Sequence, residues 1–142
     1  MRILGIDFGE KRIGLALSDP LGFTAQGLKT LERKNIKQVL SDIAETAKKS
    51  GVGEIIIGLP VNMDGSHGPK AKQVETLIPE MTETLGIPVI AWDERLTSRQ
   101  AGRLMIAEGL SRQKQRMNSD RMAATLILQG YLETKRISRG QE

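Results

Sequence analysis

The stretch ILGIDFGEKRIGLALSD, which runs from Ile3 to Asp19, decides the fold that the sequence predicts. Its first part is a short apolar run, typical of a strand buried on both faces, and the chain then turns near Gly9. In the strand that follows, bulky residues alternate with Gly14 and Ala16, so one face is nearly bare. We expect this bare face to let another group approach closely, and a phosphate backbone is one candidate.

Asp7 is the residue of this stretch that is best placed for chemistry. It lies at the end of a buried strand and beside a glycine turn, where folds tend to place metal ligands and phosphate-facing acids. An Asp that only closes a hairpin turn is an equally good interpretation of this stretch. The rest of the chain therefore has to decide between the two roles.

Composition limits the classes of protein to which the chain can belong. A length of 142 residues suits one domain, which buries roughly 68–70% of its unfolded surface. The sequence has no cysteine, which excludes disulfides, thiolate zinc sites and cysteine nucleophiles. It shows no signal peptide and no apolar run long enough for a bilayer, so we expect a cytoplasmic protein without membrane association.

The charge balance favours an anionic partner. Lys and Arg number 21 against 17 Asp and Glu, and the basic surplus is concentrated between Arg95 and Arg121. With one Trp, one Tyr and two Phe, the chain has too few aromatic residues for a base-stacking platform. An ordinary solvated surface is the alternative interpretation. The candidates for contact with nucleic acid are Lys11, Arg12, Arg95, Arg99, Arg112, Lys114 and Arg116.

The remaining elements follow from periodicity and from capping and turn residues. We expect a third strand over Gly27–Leu31 and then a helix that begins with a capping box at Asn35 and stops at Ser50-Gly51. A buried strand over Glu54–Leu59 follows. After it come a helix that Pro79 either restarts or kinks and a strand over Pro88–Trp92. The C-terminal part predicts a short helix from Thr97 to Gly109, a mobile loop over Ser111–Met117, a last helix capped by Asn118 or Ser119, and a frayed tail from about residue 135.

This order predicts a single α/β domain over residues 1–142. Three antiparallel strands are extended by two parallel strands in a mixed five-stranded sheet, with helices on both faces. Ligand sites in such sheets form beyond the carboxyl ends of strands. That rule selects Asp7, the loop at Leu59-Pro60 and the pair Asp93-Glu94.

Three carboxylates, those of Asp7, Glu94 and Asp120, converge if the last helix begins at the same edge of the sheet. Such oxygen ligands suit Mg²⁺ or Mn²⁺, and two such ions roughly 3.5–4 Å apart can support phosphodiester hydrolysis. Each acid also has a simpler interpretation, since Asp120 suits a helix N-terminus and Glu94 could pair with Arg95 or Arg99. Asp93 competes with Glu94, because neighbouring strand residues point to opposite faces.

Three other residues that attract attention have simpler interpretations. Asp19 is expected to be a turn residue, and His67 a solvated residue of a glycine-rich loop. Trp92 lies in an apolar strand, so we expect it in the core.

Four blocks of the chain together resemble the YqgF family, the bacterial Holliday-junction-resolvase-like proteins assigned as nucleases that mature the 5′ end of pre-16S ribosomal RNA. The blocks are GIDFGEKRIGLALSD at Gly5–Asp19, GLPVNMDGSHGP at Gly58–Pro69, DERLTSRQA at Asp93–Ala101 and DRMAATLILQGYL at Asp120–Leu132. Each is weak by itself, but their order and spacing are specific.

The resemblance implies a ribonuclease-H-like fold and a metal-dependent phosphodiesterase. It places the catalytic and metal-binding acids at Asp7, Glu94 and Asp120, with Mg²⁺ or Mn²⁺ as cofactor. The implied partner is structured RNA, namely pre-16S ribosomal RNA, with branched DNA as a further candidate, and the protein is expected to be a monomer or a homodimer. Related junction resolvases carry a second acid on the last helix where this chain has Ala123, which counts against true junction resolution.

Two other function classes remain open at this point. A non-catalytic module could bind nucleic acid or a ribosomal or transcription partner without cutting it. The sugar-kinase and actin-type fold shares a strand ending in GIDxG, but it needs two such domains around the nucleotide, and this length has room for one.

Overall fold

The computed structural model describes residues 1–96 and 112–138, and side chains within residues 1–96 and 122–135. In these ranges the strands are β1 (Arg2–Phe8), β2 (Arg12–Ser18), β3 (Ala25–Glu32), β4 (Val52–Leu59) and β5 (Val89–Asp93). The helices are α1 (Ile36–Ser50), α2 (Pro69–Leu85) and α3 (Arg112–Ser138), and a 3-10 turn over Glu94–Leu96 follows β5.

The strands form one sheet in the order β3-β2-β1-β4-β5. Strands β1, β2 and β3 are antiparallel neighbours, whereas β1 with β4 and β4 with β5 are parallel. Helices α1 and α2 form the long connections that parallel pairing requires. The predicted mixed sheet is therefore confirmed, and β1, β4 and β5 end at one edge, which we call the carboxyl edge.

Helices cover both faces of the sheet. Helices α1 and α2 pack on one face around Leu4, Ile6 and Ile57, and α3 packs on the other around Ile3, Ala16 and Ile56. Because side chains alternate along a strand, Asp7 shares the face of Gly5, which α3 covers, and Phe8 faces the α1/α2 side.

The start and end of α1 confirm the predicted caps. The Asn35 side chain accepts a hydrogen bond from the Gln38 backbone N–H at 2.9 Å. Gly51 ends the helix with a φ of 66°, a conformation that favours glycine.

Helix α2 is continuous through Pro79, so the alternative of a restarted helix is wrong. Proline removes one backbone donor, and the carbonyl of Glu75 that would have accepted from it lies on the exposed side of the helix, where water can replace it.

Helix α3 begins at Arg112, so the predicted loop over Ser111–Met117 is wrong from Arg112 onward. The run Arg-Gln-Lys-Gln-Arg contains good helix formers and no Gly or Pro, and its polarity had suggested a loop. The helix extends through Ser138. The predicted short helix from Thr97 to Gly109 lies outside the described residues.

Helix α3 packs on the bare face of β2, so the prediction that a phosphate backbone lies on this face is wrong. Gly14 is buried and Ala16 is fully buried against the α3 side of the core. A Cβ built at Gly5 would lie 2.8 Å from the Cβ of Leu128, which shows how closely the helix approaches the sheet. Small residues permit this approach. Within the described ranges, the helices lack the combination of length and apolar character that crossing a bilayer needs.

Candidate active site

Asp7 and Glu94 meet at the carboxyl edge on the face that α3 covers. Asp7 lies near the end of β1, and Glu94 opens the 3-10 turn after β5. The two carboxyl groups are close enough for both charge and hydrogen bonding of Asp7 to act on the pKa of Glu94. Between their strands, a Cβ at Gly58 of β4 would lie 3.0 Å from Cγ and Cδ of Glu94, so this glycine makes room for the acid.

The surroundings of Glu94 alter its protonation. Burial, followed by the charge and hydrogen bond of Asp7, raises the pKa of Glu94 to about 7. In the absence of a cation the pair therefore shares a proton near neutral pH. Positive charge placed between the two carboxylates would replace that proton.

Asp93 has a different partner from its neighbour Glu94. Its carboxylate accepts from Arg95 Nε at 3.0 Å and Arg95 Nη2 at 2.7 Å, and from the Arg95 backbone N–H at 2.9 Å. Hydrogen bonds from Arg95 hold the pKa of Asp93 below its usual range. Asp93 thus fixes the 3-10 turn, and Glu94 is the acid that reaches Asp7.

The direction of α3 brings the backbone of Asp120 toward the same edge. Tyr131 Oη donates to Glu54 Oε1 at 2.6 Å near the start of β4, and Ile127 lies against Gly58 near the end of β4. Helix α3 therefore runs antiparallel to β1 and β4. Asp120, about two turns before Ile127, is therefore on the side of Ile127 toward the carboxyl edge.

The donor set at this edge fits a hard divalent cation. Asp7 and Glu94 supply carboxylate oxygens, which Mg²⁺ and Mn²⁺ prefer, and the charge of Asp7 helps to raise the pKa of Glu94, so the two negative charges favour a cation beside them. Among the described side chains, which do not include that of Asp120, no third acid or histidine completes such a group.

A cavity of about 260 Å³ opens beside the acid pair. Asp7, Glu94 and Pro60 all line it, which agrees with the rule that ligand sites form beyond the carboxyl ends of strands. Two cations, Arg33 and Lys70, also line the cavity, together with Glu10, Phe8, Gly9 and Gln73. The cavity thus combines an acid pair with groups that attract phosphate.

Arg33 and Lys70 were missed by the sequence analysis. Lys70 Nζ lies 2.7 Å from Glu10 Oε1, and the Arg33 guanidinium donates to the Gly9 carbonyl at 2.9 Å while lying over the Phe8 ring. The Lys70 hydrogen bond, together with the charges of Lys70, Arg33 and Lys11, lowers the pKa of Glu10. Lys70 lies in the first turn of α2, directly after the loop that follows β4, and this position is a usable signal, whereas nothing local marks Arg33.

The predicted nucleic-acid contacts are distributed unevenly. Lys11, in the turn between β1 and β2, and Arg12, the first residue of β2, are exposed at the carboxyl edge. Arg95 is bound to Asp93. Residues Arg112, Lys114 and Arg116 lie in the first turns of α3, with side chains outside the described set, and Arg99 lies outside the described residues.

The loop between β4 and α2 is compact. The Asp64 carboxylate accepts from the backbone and the hydroxyl of Ser66, and the Asn62 amide donates to the same hydroxyl at 3.0 Å. His67 is exposed, as we expected for a loop residue, and it contacts Glu75 of α2.

The expectations for Asp19 and Trp92 are met. Asp19 accepts from the backbone of Leu21, Phe23 and Thr24, which confirms its role as a turn residue. Trp92 packs against Tyr131 on the α3 side of the core.

Comparison with known proteins places the chain. A family model described as RuvX, Holliday junction resolvase, matches residues 1–134. Curated relatives named "Putative pre-16S rRNA nuclease" include those of Moorella thermoacetica, 49% identical over 94% of this chain and 95% of the relative, and of Syntrophomonas wolfei, 47% identical over 94% of both. The structure resembles Thermus thermophilus RuvC, with a TM-score of 0.57 over 99% of this chain and 98% of that one at 12% identity.

The likeness to RuvC shows that the sheet and its helices form a ribonuclease-H-like fold, as the resemblance implied. The family model and the curated relatives cover nearly the whole chain, including the stretches that carry Asp7, Glu94 and Asp120. On this extent of sequence agreement, the chain belongs to the RuvX family.

Proposed function

We propose that this protein is a divalent-metal-dependent nuclease that hydrolyses phosphodiester bonds in structured RNA, and that it acts in maturation of the 5′ end of pre-16S ribosomal RNA. The observation that carries the proposal is the Asp7–Glu94 pair in a cavity that Arg33 and Lys70 also line. The names of the curated relatives support the same substrate.

The acids hold the metal in this proposal. Asp7 and Glu94, joined by Asp120 from α3, bind Mg²⁺ or Mn²⁺. When bound, such ions supply activation of water and stabilisation of the leaving oxygen in an in-line displacement. The raised pKa of Glu94 means that metal binding releases a proton near neutral pH, so the metal affinity increases as pH rises through about 7.

The cations bind the substrate. Arg33 and Lys70 hold phosphates next to the acid pair, where a phosphodiester would otherwise be repelled by two carboxylates. Lys11 and Arg12, exposed at the same edge, bind phosphates farther along the chain, and the basic start of α3 adds Arg112, Lys114 and Arg116.

Cleavage of an end-labelled structured RNA that contains the 5′ leader of 16S RNA tests the function. We expect cleavage with Mg²⁺ or Mn²⁺ and none in EDTA. Asp7→Asn should lower the rate by more than about 100-fold. Mutation of residues that only orient metal ligands already lowers activity or metal affinity by about 10- to 100-fold. Asp42→Asn on α1 makes the same chemical change away from the site and should leave the rate unchanged. Cleavage in EDTA, or an unchanged rate with Asp7→Asn, would contradict the proposal.

Junction resolution is the second candidate, favoured by the description of the family model. It requires two active sites on a symmetric dimer, whereas trimming of an RNA end does not. Helix α3 carries Ala123, one turn after Asp120, where related resolvases have a further acid. A four-way DNA junction in the same assay separates the two: symmetric paired cuts favour a resolvase, and an intact junction beside cleaved RNA favours the ribonuclease. Tight binding of both substrates without cleavage would instead indicate a non-catalytic module.

A further inference from the structure

A second cavity, of about 250 Å³, lies on the α1/α2 side of the carboxyl edge. Its apolar residues are Phe8, Ile36 and Leu77, and its polar residues are Gln73, Thr76 and Glu80. Phe8 and Gln73 also line the cavity of the acid pair, so the two cavities are adjacent. We call this second cavity the Phe8 groove.

We propose that the Phe8 groove binds one unpaired nucleobase of the nucleotide next to the phosphodiester in the acid-pair cavity. This inference rests on the nuclease function proposed above and narrows its substrate class. The nucleic acid would be single-stranded at the point where it enters the site.

The Phe8 ring already carries a flat cation on one face. The centre of the Arg33 guanidinium lies 4.2 Å from the ring centroid, so a planar group fits over the ring at stacking distance. Stacking on an aromatic side chain suits every base, because each base has a π-face. Phe8 lines both cavities and Arg33 lines that of the acid pair, so the base stacks on the part of the ring that faces the groove while the Arg33 guanidinium binds the adjoining phosphate.

The charges around the two cavities give the nucleotide one orientation. Arg33 and Lys70 line the acid-pair cavity, whereas Glu80 lines the Phe8 groove. A phosphate is attracted to the two cations and repelled from the groove. The groove instead offers the Glu80 carboxylate and the Gln73 amide, which can pair with polar atoms on a base edge.

Glu10 holds the place of the phosphate in the free protein. Its carboxylate pairs with Lys70 at 2.7 Å, and the charges of Arg33 and Lys11 act on it as well. An incoming phosphate would exchange for this exposed carboxylate.

The requirement for an unpaired base follows from the alternation of β1. Asp7 and Phe8 are consecutive, and their side chains point to opposite faces of the sheet. A nucleic-acid chain with its phosphate at Asp7 and its base on Phe8 must therefore bend over the carboxyl edge of the sheet. A base held in a duplex can do so only after it leaves its stack, which costs free energy.

Fluorescence anisotropy with a labelled 12-nucleotide single-stranded RNA, and with the same RNA annealed to its complement, tests the inference. Binding is measured in EDTA, so that hydrolysis plays no part. Phe8→Leu, which keeps the apolar contact but removes the stacking face, should weaken binding of the single strand at least about 5-fold and leave duplex binding unchanged. Phe23→Leu, in the turn between β2 and β3 at the opposite end of the sheet, is the matched control and should change neither.

A charge substitution tests the phosphate position. Glu10→Gln should tighten binding of the single strand and steepen its salt dependence, because Lys70 and Arg33 become available to phosphate. Glu45→Gln removes the same charge from a pair with Lys49 on α1 and should have no such effect.

The wild-type protein supplies a measurement that does not depend on how the variants fold. A single-stranded RNA with one 5-iodouridine should cross-link to Phe8 under ultraviolet light, as located by mass spectrometry. Equal losses of single-strand and duplex affinity with Phe8→Leu, or cross-links only at other residues, would overturn the inference. Because these readouts are independent of cleavage, loss of the proposed nuclease function alone would leave them intact.

Discussion

At the scale of single residues, the pairing of Asp7 with Glu94 is the property with the most direct chemical consequences. Both acids occupy one face at the ends of β1 and β5, and Gly58 on the strand between them provides the space. Asp93, one residue before Glu94, is held by Arg95 instead. The two carboxyl groups are under electrostatic strain, because Asp7 disfavours the charged form of Glu94.

This strain predicts a pH dependence of stability. Folding raises the pKa of Glu94 to about 7 from 4.5, so its contribution to stability is fully present below about pH 4.5 and is lost as pH rises through 7. In EDTA, Glu94→Gln should therefore raise Tm relative to wild type at pH 8, and this difference should shrink toward pH 5.

Thermal melts at both pH values, measured by circular dichroism, check this expectation. Glu45→Gln is the matched control. The pair with Lys49 lowers the pKa of Glu45, so this substitution should lower Tm, whereas Glu94→Gln should raise it. A Glu94→Gln advantage that is the same at pH 5 and pH 8 would show that the acid pair does not share a proton.

At the scale of elements, helix α3 depends on small residues in the sheet for its position. It packs over Gly5 of β1 and over Ala16 of β2, and it runs antiparallel to β1. The same close packing directs its first half toward the carboxyl edge. The position of Asp120 therefore depends on how closely α3 packs on the sheet.

Gly5→Ala tests this link. The added Cβ would lie 2.8 Å from Leu128 Cβ and 3.1 Å from the Ala124 carbonyl oxygen, so α3 must move away. We expect a loss of about 1–3 kcal/mol in the free energy of unfolding, measured in urea, and weaker Mn²⁺ binding by calorimetry.

Ile43→Val is the control for Gly5→Ala. Ile43 is fully buried on the other face of the sheet, under α1, and this substitution costs about 0.5–1.5 kcal/mol. It should leave Mn²⁺ affinity unchanged. Equal effects of the two variants on Mn²⁺ binding would mean that α3 does not position a metal ligand.

At the scale of the whole molecule, the acids and the cations gather at one edge of the sheet. The parallel strands β1, β4 and β5 end there, and so does the antiparallel turn with Lys11 and Arg12. The α1/α2 layer contributes Lys70, and α3 reaches the edge from the other face. A ligand at this edge contacts most layers of the fold and should stabilise all of it.

Metal binding should therefore raise the melting temperature of the protein. At Mn²⁺ concentrations 100 times Kd, stabilisation reaches about 2.7 kcal/mol, or a rise in Tm of roughly 5–10 °C. Asp7→Asn should abolish most of this rise, and Asp42→Asn, on α1, should retain it. A Mn²⁺-dependent shift that survives Asp7→Asn would place the metal elsewhere.

Local patterns in the sequence were sufficient for the architecture. Periodicity, caps and glycine turns predicted the five strands in their order along the chain, the capped start of α1 at Asn35 and the turn at Asp19. They also predicted that Asp7 and Glu94 approach each other. These features depend on residues near one another in the chain, or on the general rule that parallel strands end at one edge.

Tertiary structure alone decided which partner each side chain meets. It paired Glu94 with Asp7, covered Gly14 and Ala16 with α3, and brought Arg33 into the cavity of the acid pair. The physical reason is that these contacts join segments far apart in the chain, and complementary shape and charge across the packed layers select them. No local pattern carries that information.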